Sequence, residues 1–185
     1  MRAGADATAG GEITAPPCPW ITQTLVTDLG PILTFDGGAV RGQAGAAAIL
    51  WGQADPHGAR PRTAEATARA ESDATALQAE AEGCRLALHL LLGADLSGGR
   101  VATLAGDNRL IIRHGRHRER IRGLDDQAGL DASIAAAEAA GWTLRWVLLP
   151  RSANGAADRL ARLARTGGTP PTHQWHRALP QRSLP

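Results

Sequence analysis

Short apolar segments, separated by turns rich in glycine, proline and aspartate, divide the middle of the chain. Three segments of strand length come first, within PILTFDGGAV, GAAAILWG and GARPRTAEATARA. The stretch DATALQAEAEGCRLALHLLL then has the period of a helix, because Leu77, Glu80, Cys84 and Leu88 fall on one face. The pattern predicts three strands followed by one long helix.

The second half of the chain alternates strands with helices. RVATLAGD predicts a strand, NRLIIRHG a short helix, GLDASIAAAEAAG a helix closed by Gly141, and WTLRWVLLP a strand. Asn154 is the predicted N-cap of a last helix, GAADRLARLA. Consecutive strands favour antiparallel pairing, whereas a strand–helix–strand unit favours parallel pairing. We predict an α/β fold: a mixed five-stranded sheet, with three antiparallel strands then parallel additions, and helices on both faces.

Composition sets the limits of the domain. Residues 1–25 predict a flexible leader rich in Ala, Gly, Thr and Pro, and residues 167–185 predict a flexible tail, which leaves 26–166 as one domain. Hydrophobic residues make up 43% of the 185 positions and charged residues 21%, which is typical of a soluble globular protein. No apolar run suits a membrane span and the N-terminus lacks a secretory signal, so we expect a cytoplasmic location.

Charge and cysteine content exclude some classes of protein. The net charge is only +2, which argues against a purely electrostatic nucleic-acid binder. Every fixed positive side chain is an arginine, and five crowd into residues 113–122, either as solvated surface or as a phosphate-binding patch. Two cysteines do not form a disulfide framework, and Cys84 is expected to be free and buried.

Four acidic residues lie at the edges of apolar segments, namely Asp36, Glu80, Asp107 and Asp158. Each has an ordinary structural explanation. Asp36 suits a hairpin turn, Glu80 a helix boundary, Asp107 an N-cap, and Asp158 the first turn of a helix. Their joint order along this string of elements favours a different explanation, because carboxylates brought together bind hard divalent cations such as magnesium.

Short motifs surround these four residues. In chain order they are Asp36-Gly37-Gly38, Gly42-Gln43-Ala44-Gly45, Ala79-Glu80 with Glu82, Gly106-Asp107-Asn108, and Asn154 followed by Asp158, Leu160 and Ala161. Over about residues 31–165 the chain resembles the ribonuclease H family, type 1, in its short, reverse-transcriptase-like form. The chain departs from the family pattern in four places. Gln43 replaces an asparagine and Asn108 a serine, the loop 150–153 before the last helix has no histidine, and residues 72–75 before Glu80 differ from the Thr and Asn residues that usually contact the DNA strand.

The resemblance implies an endonuclease that hydrolyses the RNA strand of RNA/DNA hybrids. Catalysis would rest on two Mg²⁺ ions, or Mn²⁺ in their place, held by the four carboxylates of Asp36, Glu80, Asp107 and Asp158. A loop over residues 38–45 would approach the RNA 2′-hydroxyls. The residues expected to contact substrate are Gly37, Gly38, Gly42, Gln43, Gly45, Asn108, Arg116, Arg118 and Asn154.

Two other functions remain open at this point. The same fold can bind nucleic acid with little or no catalysis, and related nucleases cut DNA. The presence of all four carboxylates favours an enzyme over a binding module. We expect a monomer whose partner is an RNA/DNA hybrid and which has no contact with membranes.

Overall fold

The computed structural model describes residues 30–52, 60–71, 73–96, 100–168 and 172–174. The strands of this part are β1 (Ile32–Val40), β2 (Gln43–Trp51), β3 (Arg62–Glu71), β4 (Val101–Gly106), β5 (Thr143–Leu148) and β6 (His173–Gln174). The α-helices are α1 (Ala76–Gly93), α2 (Arg109–His117), α3 (Gln127–Ala139) and α4 (Gly155–Thr166), and a single-turn 3₁₀ helix covers Arg151–Ala153. None of these helices is both long and apolar enough to cross a membrane.

The strands form one mixed sheet in the order β5-β4-β1-β2-β3-β6. The β1, β2 and β3 strands pair antiparallel, and β4 and β5 are added in parallel next to β1. The predicted mixed sheet is therefore confirmed. That prediction used only the rules that consecutive strands pair antiparallel and that a strand–helix–strand unit pairs in parallel.

The two-residue strand β6 was not predicted. It pairs in parallel with β3, and the Thr172 and Thr67 main chains and hydroxyls hydrogen-bond to each other beside it. This strand falls within 167–185, the stretch predicted as a flexible tail. The rest of that stretch beyond residue 168, and the leader 1–25, lie outside the described residues, so the domain boundaries stay predictions.

Helices cover both faces of the sheet, as predicted. Alternate residues of a strand point to opposite faces, and in β1 Leu33 and Phe35 join the core beneath α1, α2 and α3. Ile32 points the other way and packs with Leu160 of α4. Cys84 is buried and free on the first of these faces, as expected.

The hairpin between β1 and β2 corrects one prediction and excludes one alternative. Arg41 and Gly42 form its two-residue turn with φ of 51° and 78°, the positive values that a type I′ turn needs. Asp36 is not a turn residue, because it lies within β1 opposite Ala47. The predicted loop over residues 38–45 is wrong, since the strands pair continuously from Gly38↔Gly45 to Val40↔Gln43.

Candidate active site

Three of the four predicted carboxylates converge at one end of the sheet. Asp36 is in β1, Asp107 directly follows β4, and Glu80 is in α1. Because β1 and β4 pair in parallel with Thr34 opposite Ala105, the side chains two residues further on reach the same edge. One oxygen from each of the three carboxylates lies within 4.8 Å of the others. Residues up to 71 positions apart in sequence, from Asp36 to Asp107, thus share one cluster.

Glycines allow α1 to lie directly against β1 beside this cluster. A Cβ on Gly37 would overlap the backbone of Ala79 and Glu80, and a Cβ on Gly83 would overlap the backbone of Asp36. Neither position has room for a side chain. The two glycines therefore let strand and helix approach closely enough for Glu80 to reach Asp36.

Asp158 lies in the first turn of α4 and lines the same cleft, which has a volume of about 400 Å³. It is not part of the cluster defined by the 4.8 Å spacing. Its carboxylate is instead 3.2 Å from Arg162 Nη2 and 3.9 Å from Arg151 Nη2. The structure therefore brings all four predicted carboxylates to one cleft, as a tight group of three and a fourth at its edge.

Burial and mutual repulsion raise the pKa of two carboxyl groups of the cluster. Burial raises the pKa of Asp36 to about 8, with further contributions from the charge of Asp107 and a hydrogen bond between the two carboxyl groups. Burial also raises the pKa of Glu80 to about 9, assisted by the charges of Asp36 and Asp107. Arg151 offsets both effects in part. A bound cation would relieve this repulsion.

Asn154 ties the carboxylates together. It occupies the N-cap position of α4, as predicted, but its side chain makes no capping hydrogen bond. Its Nδ2 donates instead to Asp107 Oδ1 at 2.9 Å, to Asp36 Oδ1 at 3.3 Å and to the Phe35 carbonyl at 2.9 Å. The residue is buried, so its amide forms a fixed bridge between the ends of β1 and β4.

Asp107 is not the cap of α2. Asn108 holds that position, and its Oδ1 accepts hydrogen bonds from the backbone N–H groups of Leu110 and Ile111. Asn108 also forms a side-chain hydrogen bond with Glu80, which lowers the pKa of that carboxyl group. The Asp107 carboxylate is left for the cluster because its neighbour caps the helix.

The donor set of the cluster suits a hard divalent cation. Three carboxylates supply oxygen ligands, which Mg²⁺ and Mn²⁺ prefer. Glu80 Oε2 is buried without a hydrogen-bond partner, an arrangement that is costly unless a ligand completes it. The residues present therefore fit a divalent metal ion.

No protein-family model matches the sequence, and no curated protein matches it. Solved structures do. The N-terminal ribonuclease H domain of Rv2228c from Mycobacterium tuberculosis has a TM-score of 0.60 at 25% identity, covering 76% of this chain and 96% of that one. Ribonuclease H1 from the archaeon Halobacterium salinarum has a TM-score of 0.55 at 21% identity, over 74% and 98% of the two chains.

LC11-ribonuclease H1, isolated from compost by a metagenomic approach and solved with an RNA/DNA hybrid, has a TM-score of 0.60 at 24% identity, over 75% and 98%. The fold is ribonuclease H-like. The predicted fold class is confirmed by this likeness, which spans nearly the whole length of each solved domain.

The glycines predicted to contact substrate have different positions in this ribonuclease H-like domain. Gly38 lines the cleft. Gly37 faces α1, and Gly45 faces α4, where a Cβ would overlap the backbone of Ala161. Gly42 lies in the open hairpin turn, and Gln43 is exposed at the start of β2. Of the four glycines and Gln43, the structure places only Gly37 and Gly38 on the cleft wall.

The predicted arginine patch is not brought to the carboxylates. Arg116 and Arg118 line a separate concave surface beside Trp146 and Glu138. The Arg116 guanidinium donates twice to the Trp146 carbonyl, and Arg118 pairs with Glu138. His114, in the same stretch of sequence, is buried and hydrogen-bonds to the Glu119 carbonyl and the Asp131 carboxylate.

Three other arginines line the cleft instead, namely Arg151, Arg162 and Arg165. Sequence reasoning missed them, because it followed the local density of arginine. The sequence did carry a signal for Arg162 and Arg165, because they follow Asp158 by four and seven residues and so fall on the same face of a helix.

Proposed function

We propose that this chain is a metal-dependent endonuclease that hydrolyses the RNA strand of RNA/DNA hybrids. The observation that carries the proposal is the cluster of Asp36, Glu80 and Asp107, held within 4.8 Å at an open cleft. The ribonuclease H-like fold supports it, as does the likeness to a ribonuclease H1 that was solved with a hybrid. In our proposal Asp158, at the edge of the cleft, is the fourth ligand.

The residues of the cleft suit two bound cations. Asp36, Glu80 and Asp107 would hold one ion, and Asp158 with part of this cluster would hold the second. Such ions supply a nucleophilic water and stabilise the attacking and leaving oxygens of a phosphodiester. Asn154 keeps two of the carboxylates aligned, so that the chain presents a fixed set of oxygens.

The wall of the cleft favours close approach by a sugar-phosphate backbone. Gly37 and Gly38 present only main-chain atoms to it, because the Cβ position of Gly37 points into α1 and that of Gly38 lies against the Arg165 guanidinium. A 2′-hydroxyl within reach of main-chain groups is the feature by which a protein separates RNA from DNA. We propose that this short stretch, with the carboxylates, selects the RNA strand.

A substrate panel tests the proposal. Labelled RNA/DNA hybrid, duplex DNA and duplex RNA are incubated with the protein, with EDTA or with Mg²⁺ or Mn²⁺. We expect metal-dependent cutting of the RNA strand of the hybrid alone. Asp107→Asn should abolish cutting yet keep the fold, since its Oδ1 can still accept from Asn154 and the α2 cap is on Asn108.

The other outcomes of the panel identify the alternatives. Binding of hybrid without any cutting would show that the protein is a nucleic-acid-binding module, and cutting of duplex DNA would show that it is a DNA nuclease. Equal cutting by Asp107→Asn would exclude the cluster as the active site. We also propose a cytoplasmic monomer, for which light scattering of the purified protein measures the mass against 19.3 kDa.

A further inference from the structure

Helix α4 presents one charged face to the cleft. Asp158, Ala161, Arg162 and Arg165 all line it, at spacings of three, four and seven residues. The opposite face carries Leu160 and Ala164, which are buried against the sheet. The helix therefore extends the carboxylate site into a cationic wall.

The two arginines of this wall differ in their partners. Arg162 is exposed and pairs with Asp158 at 3.2 Å. Arg165 is half-buried, and within the described part of the chain its guanidinium has no hydrogen bond or ion pair. No guanidinium nitrogen of Arg165 is among the buried polar atoms that lack a partner, so water reaches its five N–H donors and a ligand can reach them too.

The Arg165 guanidinium lies beside β1. Its Nη1 is 3.2 Å from the position that a Cβ on Gly38 would occupy, so a side chain there would displace it by a few tenths of an ångström. Gly38 is two residues after Asp36. The donors of Arg165 therefore lie on the same wall as the carboxylates, yet they do not neutralise them.

We propose that Arg165 binds a phosphate that flanks the one cut at the carboxylates. This inference rests on the proposed function. The arginine fork matches two phosphate oxygens, and such charge-assisted pairs are strong. Seven residues of helix separate Arg165 from Asp158 by about 10 Å, which matches about three nucleotide steps of about 3.4 Å along a strand. Arg165 thus takes a phosphate a few nucleotides from the one that is cut, and it acts as a positioning residue.

The test compares Arg165→Gln and Arg165→Lys with a matched control, Arg159→Gln. Arg159 is exposed on the same helix but does not line the cleft. With RNA/DNA hybrid we expect Arg165→Gln to raise KM about tenfold while kcat stays within about twofold, because a charge-assisted contact made equally in ground and transition states is lost. Arg165→Lys should recover part of the loss, and Arg159→Gln should match the wild type.

A binding measurement separates this inference from the proposed function. Hybrid affinity is measured against salt concentration in an Asp107→Asn background, so that no turnover is needed. Arg165→Gln should lower the slope of log K against log salt by about one relative to Arg159→Gln. If the wild type cuts nothing but this slope still falls, the phosphate site stands and the nuclease proposal fails. Equal KM values and equal slopes for the two glutamine variants, with circular dichroism showing both folded, would overturn the inference.

Discussion

Replacement of Asn154 by aspartate removes the bridge between the carboxylates. The change is nearly isosteric, but it replaces an amide donor with a third carboxylate beside Asp36 and Asp107. Hydrogen bonds to charged groups contribute about 1.5–3 kcal/mol each, and an unpaired buried charge costs more. We expect the free energy of unfolding to fall by about 3–5 kcal/mol near pH 8, a large share of the roughly 5–15 kcal/mol typical of a domain.

The loss should depend on pH in a definite direction. The new carboxyl group, like Asp36, would have a folded pKa above its unfolded value near 4. Its protonated form is favoured in the folded state and can itself donate to Asp107. The destabilisation should therefore be smallest near pH 4–5 and should grow as pH rises towards the pKa of about 8 found for Asp36.

Urea unfolding in EDTA, followed by circular dichroism at pH 5 and pH 8, measures this effect. The matched control is the swapped pair Asn154→Asp with Asp107→Asn, which returns one amide donor and one carboxylate to the bridge and should regain about half of the loss. A deficit below about 1 kcal/mol at pH 8, or the same deficit at both pH values, would show that Asn154 does not hold the carboxylates.

Three further predictions follow from the site and its supports. Without divalent cations the wild-type free energy of unfolding should fall as pH rises from about 4 to about 9, because folded pKa values of about 8 for Asp36 and about 9 for Glu80 exceed the unfolded ones. Mg²⁺ should accordingly raise the calorimetric Tm more at pH 8.5 than at pH 5, and a flat pH profile would contradict the burial of these groups. Asn108→Ala should cost at least about 1 kcal/mol in urea unfolding, because the α2 cap and the hydrogen bond to Glu80 are both lost, whereas Asn108→Ser keeps a capping oxygen and should cost less. Gly37→Ala should lower the free energy of unfolding by more than about 2 kcal/mol and weaken Mg²⁺ binding in calorimetric titration, because its Cβ would overlap α1. The control Gly93→Ala, whose Cβ would meet nothing, should be neutral or stabilising. Equal effects of the two variants would refute the close approach of α1 to β1.

Hydrophobic periodicity and turn residues were enough to predict the fold. The order of strands and helices, the antiparallel meander and the parallel additions all follow from segments that are local in sequence. Strand β6 escaped prediction, because it is two residues long and its pairing with β3 depends on Thr67, 105 residues away. A two-residue segment is too short to show the alternation of hydrophobic and polar residues that predicts a strand.

The four carboxylates of the site were picked out by their place at the ends of apolar segments. The sequence alone therefore determined which elements form, their order along the chain, the antiparallel and parallel pairing, and the four candidate carboxylates, because these follow from local patterns. The register that brings Asp36 and Asp107 to one edge was seen only in the structure. Only the tertiary structure decided what depends on contacts between distant elements. It gave the side chain of the N-cap residue Asn154 a bridging role, placed Gly37 against α1, and put Arg165 rather than Arg116 at the cleft. The reason is that a side chain's partner is set by how helices pack across the sheet, which no short stretch of sequence records.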